Sequence, residues 1–269
     1  MGFKKTATGF KKTWNMQKDY TQVITKENSS LGLLEVDMLR LQQGQSYSYA
    51  QADTEYALII LGGKCSVIGD GLDYKCIGRR KNVFDGTATA LYIPRNRKFT
   101  VKADTDVRIA VSKSPSGIDT VPVLIAPEDV VVKNLGKDGW KRQAHFIVDE
   151  RVNARHLYIG EAYVASGMWA SYPPHKHDED NMPVEGLLEE IYYYEFNRDA
   201  GFGIQRVYSK EGDIDETYAV RTGDLVEIPR GYHPFCCAPG YDSYYLWIMG
   251  GENRGFYMTT EEGHKWLTE

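Results

Sequence analysis

The chain is divided along most of its length into short apolar and aromatic stretches, separated by glycine, proline, asparagine and aspartate. Leu31 to Gln42, Tyr56 to Gly62, Ala88 to Ile93, Val107 to Ser112, Val121 to Ile125, Tyr158 to Ala165, Ile191 to Phe196, Gly203 to Tyr208, Asp224 to Ile228 and Tyr244 to Met249 are of this kind. β-branched and aromatic side chains suit a pleated, half-buried surface, and the punctuating residues suit turns. No stretch between them carries a sustained 3.6-residue apolar period. The expectation is an all-β fold, with helix restricted to short segments near Pro127 to Val131 and Glu261 to Trp266.

A repeat sharpens this. Ala90-Leu-Tyr-Ile-Pro-Arg95 lies over Asp224-Leu-Val-Glu-Ile-Pro-Arg230, each a strand followed by Ile-Pro-Arg and a turn. Upstream, Gly44 and the run from Glu55 to Leu61 match Gly167 and the run from Glu190 to Glu195. Two related β-domains in tandem are expected, joined within the Pro- and Gly-bearing stretch Pro115 to Gly139.

Composition removes several functional classes. With 32 Lys and Arg against 37 Asp and Glu, the formal charge is -5, so there is no general basic surface for a nucleic-acid backbone. No run of 18 apolar residues is present and Met1 to Gln17 lacks an apolar signal core, so neither membrane nor secretion is expected and the cytoplasm is the default location. Cys65, Cys76, Cys236 and Cys237 have no C-x-x-C spacing; the last two read as buried strand residues. The lysines after Phe3 and Phe10 read as a solvated terminal arm.

Chemistry concentrates in Ser171-Tyr-Pro-Pro-His175-Lys-His177-Asp178. Alternate side chains of a strand share a face, so His175 and His177 aim two imidazoles the same way. Glu190 opens an apolar strand, where a carboxylate is costly unless paired or metal-bound. Alternation sets Glu190, Tyr192 and Tyr194 on one face and Ile191, Tyr193 and Glu195 on the other. His233, after Ile228-Pro-Arg-Gly-Tyr, completes three histidines and one glutamate, a ligand set for a divalent transition ion with positions left open. In the first copy Ala52 and Lys98 stand opposite His175 and His233, and only Glu55 is kept. His145, His156 and His264 have no such partners and read as hydrogen-bonded or surface residues.

These residues resemble the bicupin 5-deoxy-glucuronate isomerases of inositol catabolism, relatives of the 4-deoxy-5-ketouronate isomerases. The resemblance rests on Tyr172-Pro-Pro-His-Lys-His-Asp178, Leu188-Glu-Glu-Ile-Tyr-Tyr193, Gly201-Phe-Gly-Ile-Gln-Arg-Val-Tyr208, Asp215-Glu216, Gly223-Asp224, Pro229-Arg-Gly-Tyr-His-Pro234 and Ala238-Pro-Gly-Tyr-Asp-Ser-Tyr-Tyr245, with Ile125-Ala-Pro-Glu-Asp-Val130 in the connector. It is densest from residue 125 to 250. It implies two tandem antiparallel barrels: 1–120 without a metal, a connector over 121–139, and 140–269 with the metal on His175, His177, Glu190 and His233. The preference for Glu190 over Glu189 follows the family pattern. The segment Gly136-Lys-Asp-Gly-Trp-Lys-Arg142 departs from the family's usual Gly-rich, Arg-containing stretch.

The implied reaction is an aldose–ketose isomerisation of a deoxy-uronic acid, 5-deoxy-glucuronate to 5-dehydro-2-deoxy-gluconate, assisted by one divalent ion (Zn, Mn, Fe or Ni). Proton shuttling by a base and a hydride shift both remain open. Glu161 is nominated as the base, with a salt-bridged glutamate as its alternative, and Tyr192 and Tyr244 as hydrogen-bond donors. Arg206 and Arg230 are nominated for the substrate carboxylate, while Lys176 alternates away from the imidazoles. The expected partner is a small sugar acid, with a homo-oligomer an option. Two other functions share this ligand set or fold: an oxygen-activating cupin, separable by metal identity and oxygen uptake, and a non-catalytic sugar-acid binder, for which no output module is visible.

Overall fold

The computed structural model describes residues 9–269. Before the connector lie β1 (Lys11–Thr13), β2 (Tyr20–Ile24), β3 (Glu35–Leu41), β4 (Ser46–Tyr49), β5 (Thr54–Gly62), β6 (Cys65–Gly69), β7 (Leu72–Ile77), β8 (Thr89–Ile93), β9 (Phe99–Ala103) and β10 (Val107–Pro115). The connector carries β11 (Val123–Ile125) and β12 (Val131–Leu135). After it come β13 (Arg142–Val148), β14 (Leu157–Val164), β15 (Trp169–Ala170), β16 (His175–Lys176), β17 (Asp178–Asn181) and β18 (Glu185–Phe196). The last six are β19 (Gly203–Tyr208), β20 (Asp215–Val220), β21 (Asp224–Ile228), β22 (Phe235–Cys237), β23 (Ser243–Gly251) and β24 (Thr259–Thr260). The short helices are 3-10 turns, two of them, Pro127–Asp129 and Glu262–Leu267, at the two places expected and a third at Asp138–Trp140.

The fold is all-β, as two tandem antiparallel barrels. In the first, the sheet β11-β8-β5-β10-β3-β2 faces the sheet β4-β9-β6-β7. In the second, β1-β21-β18-β23-β14-β13-β12, with β17 beside β18, faces β15-β22-β19-β20. The first barrel is filled: Leu39, Tyr56, Leu58, Val67, Phe99 and Val101 pack its interior. The second carries a ring of aromatics in its interior, among them Tyr192, Tyr194, Phe235, Tyr245 and Trp247.

The limits expected from sequence, 1–120, 121–139 and 140–269, do not follow the sheets. β1 pairs antiparallel with β21, so the first described strand belongs to the second barrel's large sheet. β11 pairs with β8 of the first barrel and β12 with β13 of the second, which makes the connector part of both. Lys11 and Lys12 are accordingly no solvated arm: their ammonium groups lie 3.1 Å from Asp224 and 3.7 Å from Glu227. The lysines after Phe3 fall outside the described residues.

A third core lies between the barrels, where the two large sheets meet face to face. Met38, Ala57, Ile59, Ala90 and Ala110 from the first pack with Ile147, Ile159, Ile191, Tyr193, Leu246 and Ile248 from the second. Apolar burial is non-directional, so it does not by itself fix how the two sheets sit on each other. Two carboxylates, one fully buried and one half-buried, supply that direction. Glu55, at the start of β5, accepts the backbone N–H groups of Arg155, His156 and Leu157 at 2.6, 2.8 and 3.0 Å. Glu189 on β18 accepts those of Gly32, Leu33 and Leu34 at 2.8, 2.7 and 2.6 Å. Each barrel thus holds the turn that leads into a strand of the other.

Strand register shows that Glu55 and Glu189 are counterparts. Tyr56 pairs with Ile93 and Glu190 with Ile228, the isoleucines of the two Ile-Pro-Arg segments. The first barrel's counterpart of Glu190 is therefore Tyr56, and the expectation that Glu55 preserves a ligand position is corrected by one residue.

Replacing Glu55 by Ala strands three buried N–H donors, and a loss of about 3 kcal/mol is expected. Chemical denaturation of the variant checks this; a midpoint equal to wild type would show that the 155–157 turn is held by other contacts.

Candidate metal centre

Three segments bring the site together inside the second barrel. On β18 the two-residue period sends Leu188, Glu190, Tyr192 and Tyr194 into the barrel core and Ile191 and Tyr193 into the interbarrel core, as the sequence alternation predicts. His175 lies on β16, paired with Thr260 of β24. His177 is fixed twice by Leu188: its carbonyl accepts the Leu188 N–H at 2.8 Å, and its ring Nδ1 lies 2.9 Å from the Leu188 carbonyl. His233 ends the turn that follows Ile228. Gly231 in that turn has φ +87°, and a Cβ there would stand 2.3 Å from the Tyr208 carbonyl, so a glycine is required to aim the imidazole. His233 Nδ1 lies 3.0 Å from the Gly231 carbonyl.

A carbonyl only accepts, so both Nδ1 atoms carry the proton, and each neutral ring then presents an Nε2 lone pair. Both Nε2 atoms lie 3.2 Å from the same oxygen of Glu190, Oε2. His233 Nε2 has no hydrogen-bond partner although the residue is fully buried. Three electron-pair donors thus converge within 4.8 Å of one another. His175 stands beside the trio, its ring centroid 4.8 Å from that of His233 and 6.5 Å from that of His177.

The electrostatics follow from burial and this crowding. Burial pulls His175 well below its usual value, and the charges of His233, His177 and Arg142 reinforce the effect. For His177 burial acts in the same sense, but the adjacent Glu190 outweighs it and raises the imidazole. Burial would raise Glu190; its contacts with His177 and His233 overcome that and hold it low, as a carboxylate.

The cavity around the trio is walled by Arg142, Ala144, Ala162, Ser171, Tyr192, Tyr245 and Trp247, with Phe256 and Met258 from the C-terminal segment. The Trp247 indole packs against Gly160, where a Cβ would come within 2.1 Å of it. Tyr192 Oη is 2.7 Å from Ser171 Oγ; burial and then the Glu190 charge push its phenol well above the usual value, so it keeps its proton.

The other nominated residues are elsewhere. Glu161 alternates with Ala162 and so faces the interbarrel side, where it is fully buried and paired with Arg80 Nη1 at 3.1 Å. Tyr244 faces the same side and donates to Glu161 at 2.8 Å, while its neighbour Tyr245 lines the cavity. Arg206 pairs with Asp215 at 2.8 Å near the surface, and Arg230 pairs with Glu211 and Asp213. Neither arginine lines the cavity. Lys176 does turn away, as expected, and its ammonium fills the second acidic cluster, 2.6, 2.7 and 2.8 Å from Asp178, Glu179 and Glu185. His145 and His156 are buried and hydrogen-bonded, to Gln143 and to the Pro115 carbonyl. The four cysteines are free and lie outside the cavity wall.

Arg142, Ser171 and Tyr245 were missed as site residues. Arg142 carries a readable signal, since it shares a strand face with Ala144. The choice between Tyr244 and Tyr245 needs the register of β23 against β14, which one sequence does not contain.

Residues 10–267 match the KduI/IolB family. The curated 5-deoxy-glucuronate isomerase of Bacillus licheniformis is 40% identical over 248 residues, 91% of this chain and 92% of that protein. That of Bacillus subtilis strain 168 is 38% identical over the same shares. The crystal structure of an IolB-like protein from Salmonella typhimurium LT2 superposes with a TM-score of 0.93 at 33% identity, covering 97% of this chain and 100% of that one. An oxalate decarboxylase from Lactobacillus farciminis, at 11% identity, a TM-score of 0.64 and coverage of 93% and 85%, shares the fold alone. Matched over nearly its whole length, the chain belongs to the KduI/IolB family.

Proposed function

We propose that the chain converts 5-deoxy-D-glucuronate to 5-dehydro-2-deoxy-D-gluconate, a step of myo-inositol degradation, in the cavity of the second barrel with one divalent ion held by His177, Glu190, His233 and His175. The chain is an isomerase: its curated relatives, at 38–40% identity over most of the chain, are 5-deoxy-glucuronate isomerases. The observation that carries the metal reading is the convergence of two imidazole lone pairs on one carboxylate oxygen, with His233 Nε2 left without a hydrogen bond. Repulsion among buried acceptors is relieved by a cation, and the imidazole and carboxylate donors suit a transition ion.

The reaction moves one hydrogen from C2 to C1 and one proton from the C2 hydroxyl to the C1 oxygen, with no net redox change. A bound ion supplies positive charge against the negative charge that develops on the substrate oxygens. The Tyr192 hydroxyl, kept protonated and paired with Ser171, donates to a substrate oxygen and holds the proton that passes between O2 and O1 at its Oη. Tyr245, Trp247, Phe256 and Met258 shield these atoms from water. Glu161 has no part in this chemistry, because it lies on the far face of β14.

Purified protein incubated with 5-deoxy-glucuronate and followed by NMR is expected to lose its aldehyde signal and gain a ketone signal, and to stop doing so after chelation. Oxygen uptake without isomerisation would favour the oxygen-activating alternative. His177→Ala is expected to lose bound metal, measured by elemental analysis, and to lower kcat by ~10²-fold or more. Metal content equal to wild type in that variant would remove His177 from the ligand set.

Tyr192→Phe is expected to lower kcat roughly 10²-fold with metal content unchanged. Glu161→Gln tests the corrected assignment: it leaves Arg80 buried without its counter-ion and costs about 3 kcal/mol of stability. Its kcat should nevertheless escape the ~10²–10⁴-fold loss that removal of a catalytic base brings.

A further inference from the structure

Among the residues that wall the metal cavity, one carries a fixed positive charge: Arg142. It opens β13, opposite Val164 on one side and Leu135 on the other. Alternation puts it on the same face as Ala144, and Ala162 lines the cavity from the neighbouring strand. Those two side chains are small, and with Arg142 they line the same cavity as His177 and Glu190.

Most cations near the site are already neutralised. Lys176 has three carboxylates, Arg206 has Asp215, and Arg230 has Glu211 and Asp213. The Arg142 side chain, half-buried, makes no hydrogen bond or ion pair among the described residues. Partial desolvation of an unpaired guanidinium is unfavourable, and its planar fork matches a carboxylate through two parallel N–H···O bonds. Arg142 also lines the outer groove formed with Phe84, Asn134, Lys141 and Gln143, so it stands where that groove meets the cavity.

We propose that Arg142 is the residue that binds the carboxylate of the sugar acid, orienting the chain so that its carbonyl end meets His177, Glu190 and His233. This rests on the isomerase reading above. In a six-carbon uronic acid the reacting C1–C2 pair and the C6 carboxylate are at opposite ends, so one anchor at the cavity mouth fixes which end enters. The acidic net charge of the chain does not oppose this, because an anion at this point meets the local charge of Arg142 and not the average over the surface.

The test uses the metal-loaded enzyme with Arg142→Met and Arg142→Lys, assayed on 5-deoxy-glucuronate and on the neutral hexose in which the carboxylate is replaced by a hydroxymethyl group. Arg142→Met should raise KM for the acid ~10–100-fold, the equivalent of one charged hydrogen-bonded contact, with kcat changed less than KM. Its kcat/KM for the neutral sugar and its metal content should match wild type, and Arg142→Lys should recover part of the loss. An unchanged KM for the acid, or an equal loss on both sugars, would overturn the proposal. A binding titration with D-glucuronate against D-glucose separates this from failure of the isomerase reading. If wild type turns over neither substrate but prefers glucuronate, and Arg142→Met loses that preference, the anchor stands while the reaction assignment falls. If wild type shows no preference for the acid, the anchor falls as well.

Discussion

The central strands of the second barrel's large sheet, β14, β21 and β23 with the C-terminal part of β18, are buried on both faces, and their two-residue period decides what each side chain does. One face closes the cavity around His177, Glu190 and His233; the other forms the interbarrel core. On β14 the pair Glu161 and Ala162 divides in this way, and on β23 so does the pair Tyr244 and Tyr245. A one-residue slip on any of these strands would exchange site for scaffold. The carboxylates of Glu55 and Glu189 oppose such a slip, because each is held by three backbone donors from the other barrel.

This explains which parts of the site were legible in the sequence. His175, His177, Glu190 and His233 come from segments whose spacing or turn chemistry is local, and the structure brings them to one cavity. The all-β class and the short helical turns were legible for the same reason. Glu161 was not, because an acidic residue on an apolar strand reads alike whether it faces a cavity or a buried arginine. Its partner Arg80 lies 81 residues away, and no local pattern connects them. Arg206 and Arg230 were nominated for their charge, yet that charge is spent on neighbouring acids within the same sheet and turn. The sequence limits of the two barrels failed because strand pairing between β1 and β21 spans more than two hundred positions.

The two barrels also show how one architecture holds or lacks a cavity. At the positions where the second has Glu190 and an open wall, the first has Tyr56 packed edge-to-face against Tyr49 and Phe99, with ring centroids 5.4 and 5.1 Å apart. Aromatic volume fills the space that in the other barrel stays open as a cavity. The first barrel's contribution to the second is thus mechanical: it supplies Arg80 to neutralise Glu161 and the 32–34 turn to hold Glu189 beside Glu190.

The pairing of β1 with β21 has a topological consequence. Along the described residues the polypeptide passes through one barrel, crosses to build the other, and returns to finish the first, in the manner of a clasp whose tongue is threaded before the buckle is made. Severing the chain between the halves would leave the long sheet with a bare rim along β21, a ready template for pairing with a stranger. A gene encoding either half alone would therefore make a sticky fragment, so the tandem has become a single indivisible unit whatever its ancestry as a duplication.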